Sequence, residues 1–80
     1  MAGKIKRQQA AKLAAVRRSA KDGACRQTRI EAKLSFRDMA DACGVAASTV
    51  LRWEAGRVPR SAAALRWAAI LADLEKVIHP

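Results

Sequence analysis

Between Ile5 and Leu34 the apolar residues recur in steps of three and four. Leu13, Val16 and Ala20 open a stripe that resumes at Ile30 and Leu34, the spacing of one helical face. The same steps pass through Gly23 and Gln27, so the stripe thins at its middle. Asp22-Gly23 is the local breaker, and glycine costs about 1 kcal/mol against alanine inside a helix. Two organisations fit: one long helix to about Lys33, bent at Gly23, or an arm helix that ends near Gly23 before a second helix begins. The single long helix is the preferred reading.

From Ser35 the pattern changes to two short blocks. Ser35 has the side chain of an N-cap, and Asp38 three residues later completes a capping box. Phe36, Met39, Ala40 and Cys43 share one face of a helix over 36–43. Gly44 supplies a left-handed stop, and Val45 anchors the turn. A second helix over 47–55 turns Val50, Trp53 and Glu54 inward and Ala47, Ser48, Leu51 and Arg52 outward, and Gly56 ends it. Pro59 discourages helix at Val58, and Ser61 caps a last helix from Ala62 to about Ile78. That helix carries Leu65, Trp67, Ala68, Ile70, Leu71, Leu74, Val77 and Ile78, more apolar surface than one face uses. A homodimer contact and ordinary exposed apolar surface are both outlets for the surplus.

These elements predict an all-α fold: a compact four- to five-helix bundle with a helix-turn-helix at about 36–43 and 47–55, a long basic N-terminal helix and a C-terminal helix. Residues 1–21 read as a basic helical arm and residues 22–80 as the helix-turn-helix domain. A chain of 80 residues makes one small core. Its 51% hydrophobic content is rich in alanine, which favours helix and adds little burial.

Charge changes the picture. The formal net charge is +9, and residues 1–33 hold ten Lys/Arg against Asp22 and Glu31, a net +8. Residues 34–80 hold six against five acids, a net +1. The arm contributes Lys4, Lys6, Arg7, Lys12, Arg17, Arg18 and Lys21. A basic half suits a polyanion, and a solvated helix face is the plain alternative. Beside a helix-turn-helix, the balance moves toward nucleic acid.

Other chemistry is thin. Cys25 and Cys43 lie too far apart for a zinc knuckle and His79 is the only histidine, so no metal set is expected. Both cysteines fall in apolar phase and read as buried reduced thiols. There is no nucleophile with a base, no glycine-rich phosphate loop and no carboxylate pair in a plausible pocket, which argues against an enzyme, a cofactor or a small-molecule ligand. Trp53 and Trp67 fall on the inward faces of their helices and read as core anchors rather than base-stacking platforms. No run approaches membrane-spanning length and no signal-peptide apolar stretch is present, so the expected location is the cytoplasm. The acid-free basic start also has the look of an organelle transit peptide, a reading discounted because the helical pattern continues into the domain.

The segment 34–56 resembles the helix-turn-helix of the phage repressor/Cro family, the XRE type. The matching residues are Leu34-Ser35, Met39-Ala40, the Gly44-Val45 turn, Ser48-Thr49-Val50, Arg52-Trp53-Glu54 and Gly56, with Leu65-Arg66-Trp67-Ala68-Ala69-Ile70-Leu71 like the last core helix of the family. The match covers roughly residues 22–72. The resemblance implies a sequence-specific regulator bound to double-stranded DNA. It places Ala47, Ser48, Leu51 and Arg52 at the base edges, where an arginine bonds guanine in a bidentate manner. It places Thr49, Arg57, Arg60 and Ser61 on phosphates, joined by Ser35, Phe36 and Arg37 at the start of the motif's first helix. It also aligns Arg29 and Glu54 with a partly buried ion pair; a solvated helix-end carboxylate is the alternative for Glu54.

Two departures stand out. Phe36 replaces a common glutamine, so it is either packed or an exposed DNA-side wedge. Ala46 replaces a usual serine cap, at a cost of about 1 kcal/mol. The arm has three readings: it tracks the DNA backbone, enters an adjacent minor groove, or dimerises through Leu13, Val16 and Ala20. An excisionase-like architectural factor, which would have a strand-rich wing after Gly56, is one alternative. A protein-interaction module such as an antitoxin or anti-repressor is another.

Overall fold

The computed structural model describes residues 6–80. Among them are five helices and no strand: α1 Arg7–Lys21, α2 Ala24–Glu31, α3 Phe36–Cys43, α4 Ala47–Glu54 and α5 Ala62–Ile78. The all-α bundle is the expected class, at the five-helix end of the expected range. Lys4 lies outside the described residues.

The single long N-terminal helix is corrected. The chain breaks at Asp22-Gly23, where Gly23 takes φ +81°, a left-handed conformation that costs L side chains strain but glycine none. The Asp22 N–H closes α1 on the Arg18 carbonyl at 3.1 Å, and the Gly23 N–H reaches the Ala20 carbonyl at 3.2 Å. The break also resets the helical phase. α2 buries Cys25, Thr28 and Arg29, whereas Ile30, expected on the stripe, is 41% exposed.

α3 is held at both ends. The Asp38 N–H donates to Ser35 Oγ at 3.0 Å, and the Ser35 N–H donates to Asp38 Oδ2 at 2.8 Å. The Ser35 backbone N–H foremost, with the Ser35 hydroxyl beside it, holds the Asp38 carboxyl below its usual range. At the other end Gly44, φ +72°, turns the chain toward α4. α4 starts at an extended Ala46 with no side-chain cap and ends one residue earlier than expected, with Ala55 as its cap. Ser61 Oγ accepts the Ala64 N–H at 3.1 Å and starts α5.

The core joins all five helices. Leu13, Val16 and Ala20 of α1 are buried in it with Cys25 of α2 and with Met39, Ala40, Cys43, Val50, Trp53, Val58, Ala64, Trp67 and Leu71. The three α1 residues are therefore internal, which removes the dimer seam read from them. Trp53 and Trp67 pack with ring centroids 5.1 Å apart at 38°, so both tryptophans are core anchors. The buried Trp67 indole N–H has no hydrogen-bond partner among the described residues. The surplus on α5 goes largely inward, since Leu65, Ala68, Ile70 and Leu74 pack half-buried against the core, whereas Val77 is 74% exposed. Thr28 Oγ1 donates to Glu75 Oε1 at 2.7 Å and ties α2 to α5. Both cysteines are free and buried. Burial, with the Glu54 charge adding to it, pushes the Cys25 thiol up to about 12. Burial also raises Cys43, partly offset by Arg66.

Candidate nucleic-acid interface

The orientation of α4 follows from what its inner face is fastened to. Val50 is fully buried and Trp53 nearly so, and the Glu54 side chain is only 4% exposed. Arg29 of α2 meets that carboxylate with two donors, Nε to Oε2 at 2.6 Å and Nη2 to Oε1 at 3.3 Å. Its third donor, Nη1, reaches the Leu34 carbonyl at 2.9 Å. The guanidinium carbon also lies 4.1 Å from the centroid of the Phe36 ring. One arginine thus joins α2, the α2–α3 turn, the first residue of α3 and the end of α4. A pair this buried and fully bonded fixes geometry; charges left without a partner there would be costly.

The outer face of α4 presents what remains. Ser48 and Arg52 are exposed, Leu51 is 54% exposed and Ala47 is half-buried against the core. Arg52 Nη2 donates to Thr49 Oγ1 at 3.3 Å, so its guanidinium rests along the helix surface. Thr49, Arg52 and Arg57 come together around an open hollow of about 530 Å³, with Trp53, Gly56, Val58 and Pro59 as its other walls. Arg60 continues the exposed basic surface to the start of α5, where Ser61 is half-buried. Ser35 and Arg37 are exposed at the start of α3, while Phe36 is half-buried. With Arg29 stacked on its ring, Phe36 takes the packed one of its two readings.

The arm residues divide. Arg17 Nε donates to the Val58 carbonyl at 2.9 Å, which pins the α4–α5 loop to α1. The stem of Lys21 covers Gly56, its Cγ 3.5 Å from where a Cβ would stand. Lys12 instead faces a groove between α1, α2 and α5. Lys6, Arg7 and Arg18 are exposed.

Arg66, part of the last-helix pattern but given no role by it, bridges two helices. From α5 its Nη2 and Nε donate to the Cys43 carbonyl at 3.0 and 3.3 Å, satisfying the last turn of α3 beside the Gly44 stop. The partners are 23 residues apart, beyond any local signal. The same is true of Arg17 and Val58, 41 residues apart. No helix among the described residues is long and apolar enough to cross a membrane. No group of three or more His, Cys, Asp or Glu among them could hold a metal ion.

A capped first helix, a glycine turn and a second helix with a pinned inner face and a free outer face define a helix-turn-helix. The chain belongs to the helix-turn-helix domain family, whose profile matches residues 25–74, well over half of its length. Domains of this kind are characteristically non-catalytic DNA-binding modules, and the match supports a DNA-binding regulatory function in general. No curated protein and no solved structure matches the chain.

Proposed function

We propose that this protein is a sequence-specific regulator of transcription that binds double-stranded DNA, a repressor or Cro-like switch of phage or mobile-element origin. The observation that carries the reading is the asymmetry of α4. Its inner face is locked by Val50, Trp53 and the Arg29–Glu54 pair, while its outer face holds Ser48, Leu51 and Arg52 in the open. A helix held that way can enter a major groove without reorganising. Arg52 bonds guanine O6 and N7, Ser48 bonds a base edge, and Ala47 and Leu51 contact thymine methyl groups. Thr49, Arg57, Arg60 and Ser61, with Ser35 and Arg37, meet phosphates. With so few polar groups facing bases, phosphate contacts and DNA shape supply much of the affinity.

An excisionase-like wing is disfavoured, because after Gly56 comes the Arg57–Ser61 loop and then α5. Selection of bound sequences from a random duplex pool tests the reading. A recovered motif containing guanine at a fixed position supports it. Half-sites about one helical turn apart, roughly 34–36 Å, would add a two-fold dimer. Recovery of no motif, with no duplex binding at low salt, would leave the protein-interaction reading in its place.

A further inference from the structure

The basic side chains of α1 fall on two flanks. Lys12 joins Ala15 and Ser19 along a groove of about 460 Å³ against α2 and α5. On the opposite flank Arg17 bonds the Val58 carbonyl and Lys21 lies on Gly56, so this side of α1 borders the end of α4 and the loop that follows. Leu13, Val16 and Ala20 in the core fix the rotation of the helix. From Lys21, steps of three and four run back through Arg18 and Arg17 to Ala14, Ala10 and Arg7, all on one side. α1 contains no acidic residue. Ala10 and Ala14 leave low ground between the charges. The exposed Arg57 and Arg60 stand on the loop that this flank adjoins.

We infer that α1 is a rigid rail for the DNA backbone. Arg7, Arg18 and Lys21 extend the phosphate-binding surface of Arg57 and Arg60 past the C-terminal end of the recognition helix. The inference rests on the duplex-DNA reading above and adds a second element to it. α1 is 15 residues long, about 22 Å at 1.5 Å per residue. Duplex DNA carries a charge about every 1.7 Å of its axis. Three cations along such a helix therefore meet several phosphates without the helix leaving the core. A packed rail loses less freedom on binding than a tail that must first become ordered.

The test uses the full chain and a 20-base-pair duplex, with affinity measured across salt concentrations and phosphate-ethylation interference mapped in parallel. The triple variant Arg7→Ala/Arg18→Ala/Lys21→Ala is expected to reduce the log–log salt slope by about 1 to 2.7, at about 0.9 per phosphate lost. It should also erase the interfering phosphates outside the recognition-helix site. Lys76→Ala, on the groove side of α5, should keep the wild-type slope. All three changed positions are exposed and helical, where alanine favours the fold. The glutamine triple variant provides a second measurement with longer side chains retained. If the wild type binds with a salt-dependent slope and both triple variants match it, the rail is overturned and the DNA reading stands. If the wild type shows no salt-dependent duplex binding, both are overturned.

Discussion

The two faces of α4 are built on opposite terms. Its inner face is crowded with constraint: Val50 and Trp53 in the core, and Glu54 meeting two donors of Arg29. Its outer face is nearly bare, with Ser48 and Arg52 the polar side chains fully in the open. The contrast separates two tasks often credited to one helix. The inner face decides how the helix is presented; on the reading proposed above, the outer face contributes few groups to base recognition. A protein arranged this way places precision in the scaffold, and the proposed function assigns its affinity to the charges around it.

The strongest way to break this contrast is to cut the inner fastening. Glu54→Ala leaves Arg29 buried without its partner and is expected to cost about 3–5 kcal/mol in denaturant unfolding. The double variant Arg29→Met/Glu54→Leu should cost less than either single change, because no charge is stranded. A double variant as unstable as the single ones would mean that packing around Phe36, and not charge, dominates the site.

On the outer face the sign of the effect moves from folding to binding. Arg52→Ala should leave the melting temperature within error and weaken DNA binding by about 1–3 kcal/mol, with preference relaxed at one base position. Uniform weakening across all sequences would make Arg52 a phosphate contact instead.

The helix starts allow a smaller test. Ser35→Ala should destabilise the fold by about 1 kcal/mol, and Ala46→Ser should stabilise it by a similar amount, since Ala46 already has the extended backbone of an N-cap. Asp38 adds a pH signature. Its carboxyl is lowered in the folded state, so its contribution is complete above the ordinary carboxyl range and is lost as pH falls through the lowered value. Melting measured from pH 7 downward should show that loss in the wild type and less of it in Ser35→Ala.

The smallest effect concerns the interior between α1 and α2, where the Cys25 thiol faces the Val16 carbonyl. With the Cys25 thiol raised from 9.0 to about 12, it stays protonated at pH 8, and a thiol reagent should modify it only as fast as the protein opens. Sign follows from linkage: stability that Cys25 contributes is full below pH 9 and declines as pH rises toward 12. Rapid labelling of the native state at pH 8 would show that the core around α1 and α2 is open.

How much of this was legible in the sequence depended on range. Ser35, Asp38, Gly44 and Ser61 act within a few residues of themselves, and each announced its helix boundary. The inward set of Val50 and Trp53 followed from periodicity, since a helix on a core has only one side to bury. The N-terminal third misled because alanine suits both buried and exposed helix, so the phase across Gly23 was carried by few large residues. The left-handed Gly23 then turned α2 to bury Thr28 and Arg29, two polar residues that hydropathy places outside. Long-range bonds such as Arg17 to Val58 and Arg66 to Cys43 left no trace in spacing, because only tertiary packing brings the partners together.

The tryptophan pair has a practical consequence. The chain holds two tryptophans and no tyrosine, and one tryptophan belongs to α4 while the other lies against it from α5. Near-ultraviolet light absorbed by this protein is therefore gathered almost wholly at a single junction behind α4. Rings 5.1 Å apart couple their transitions, so circular dichroism in that band is a gauge of one angle between two helices. If the recognition helix docks as a rigid body, the band keeps its shape when nucleic acid is added. If it rocks, the protein reports its own movement without a label.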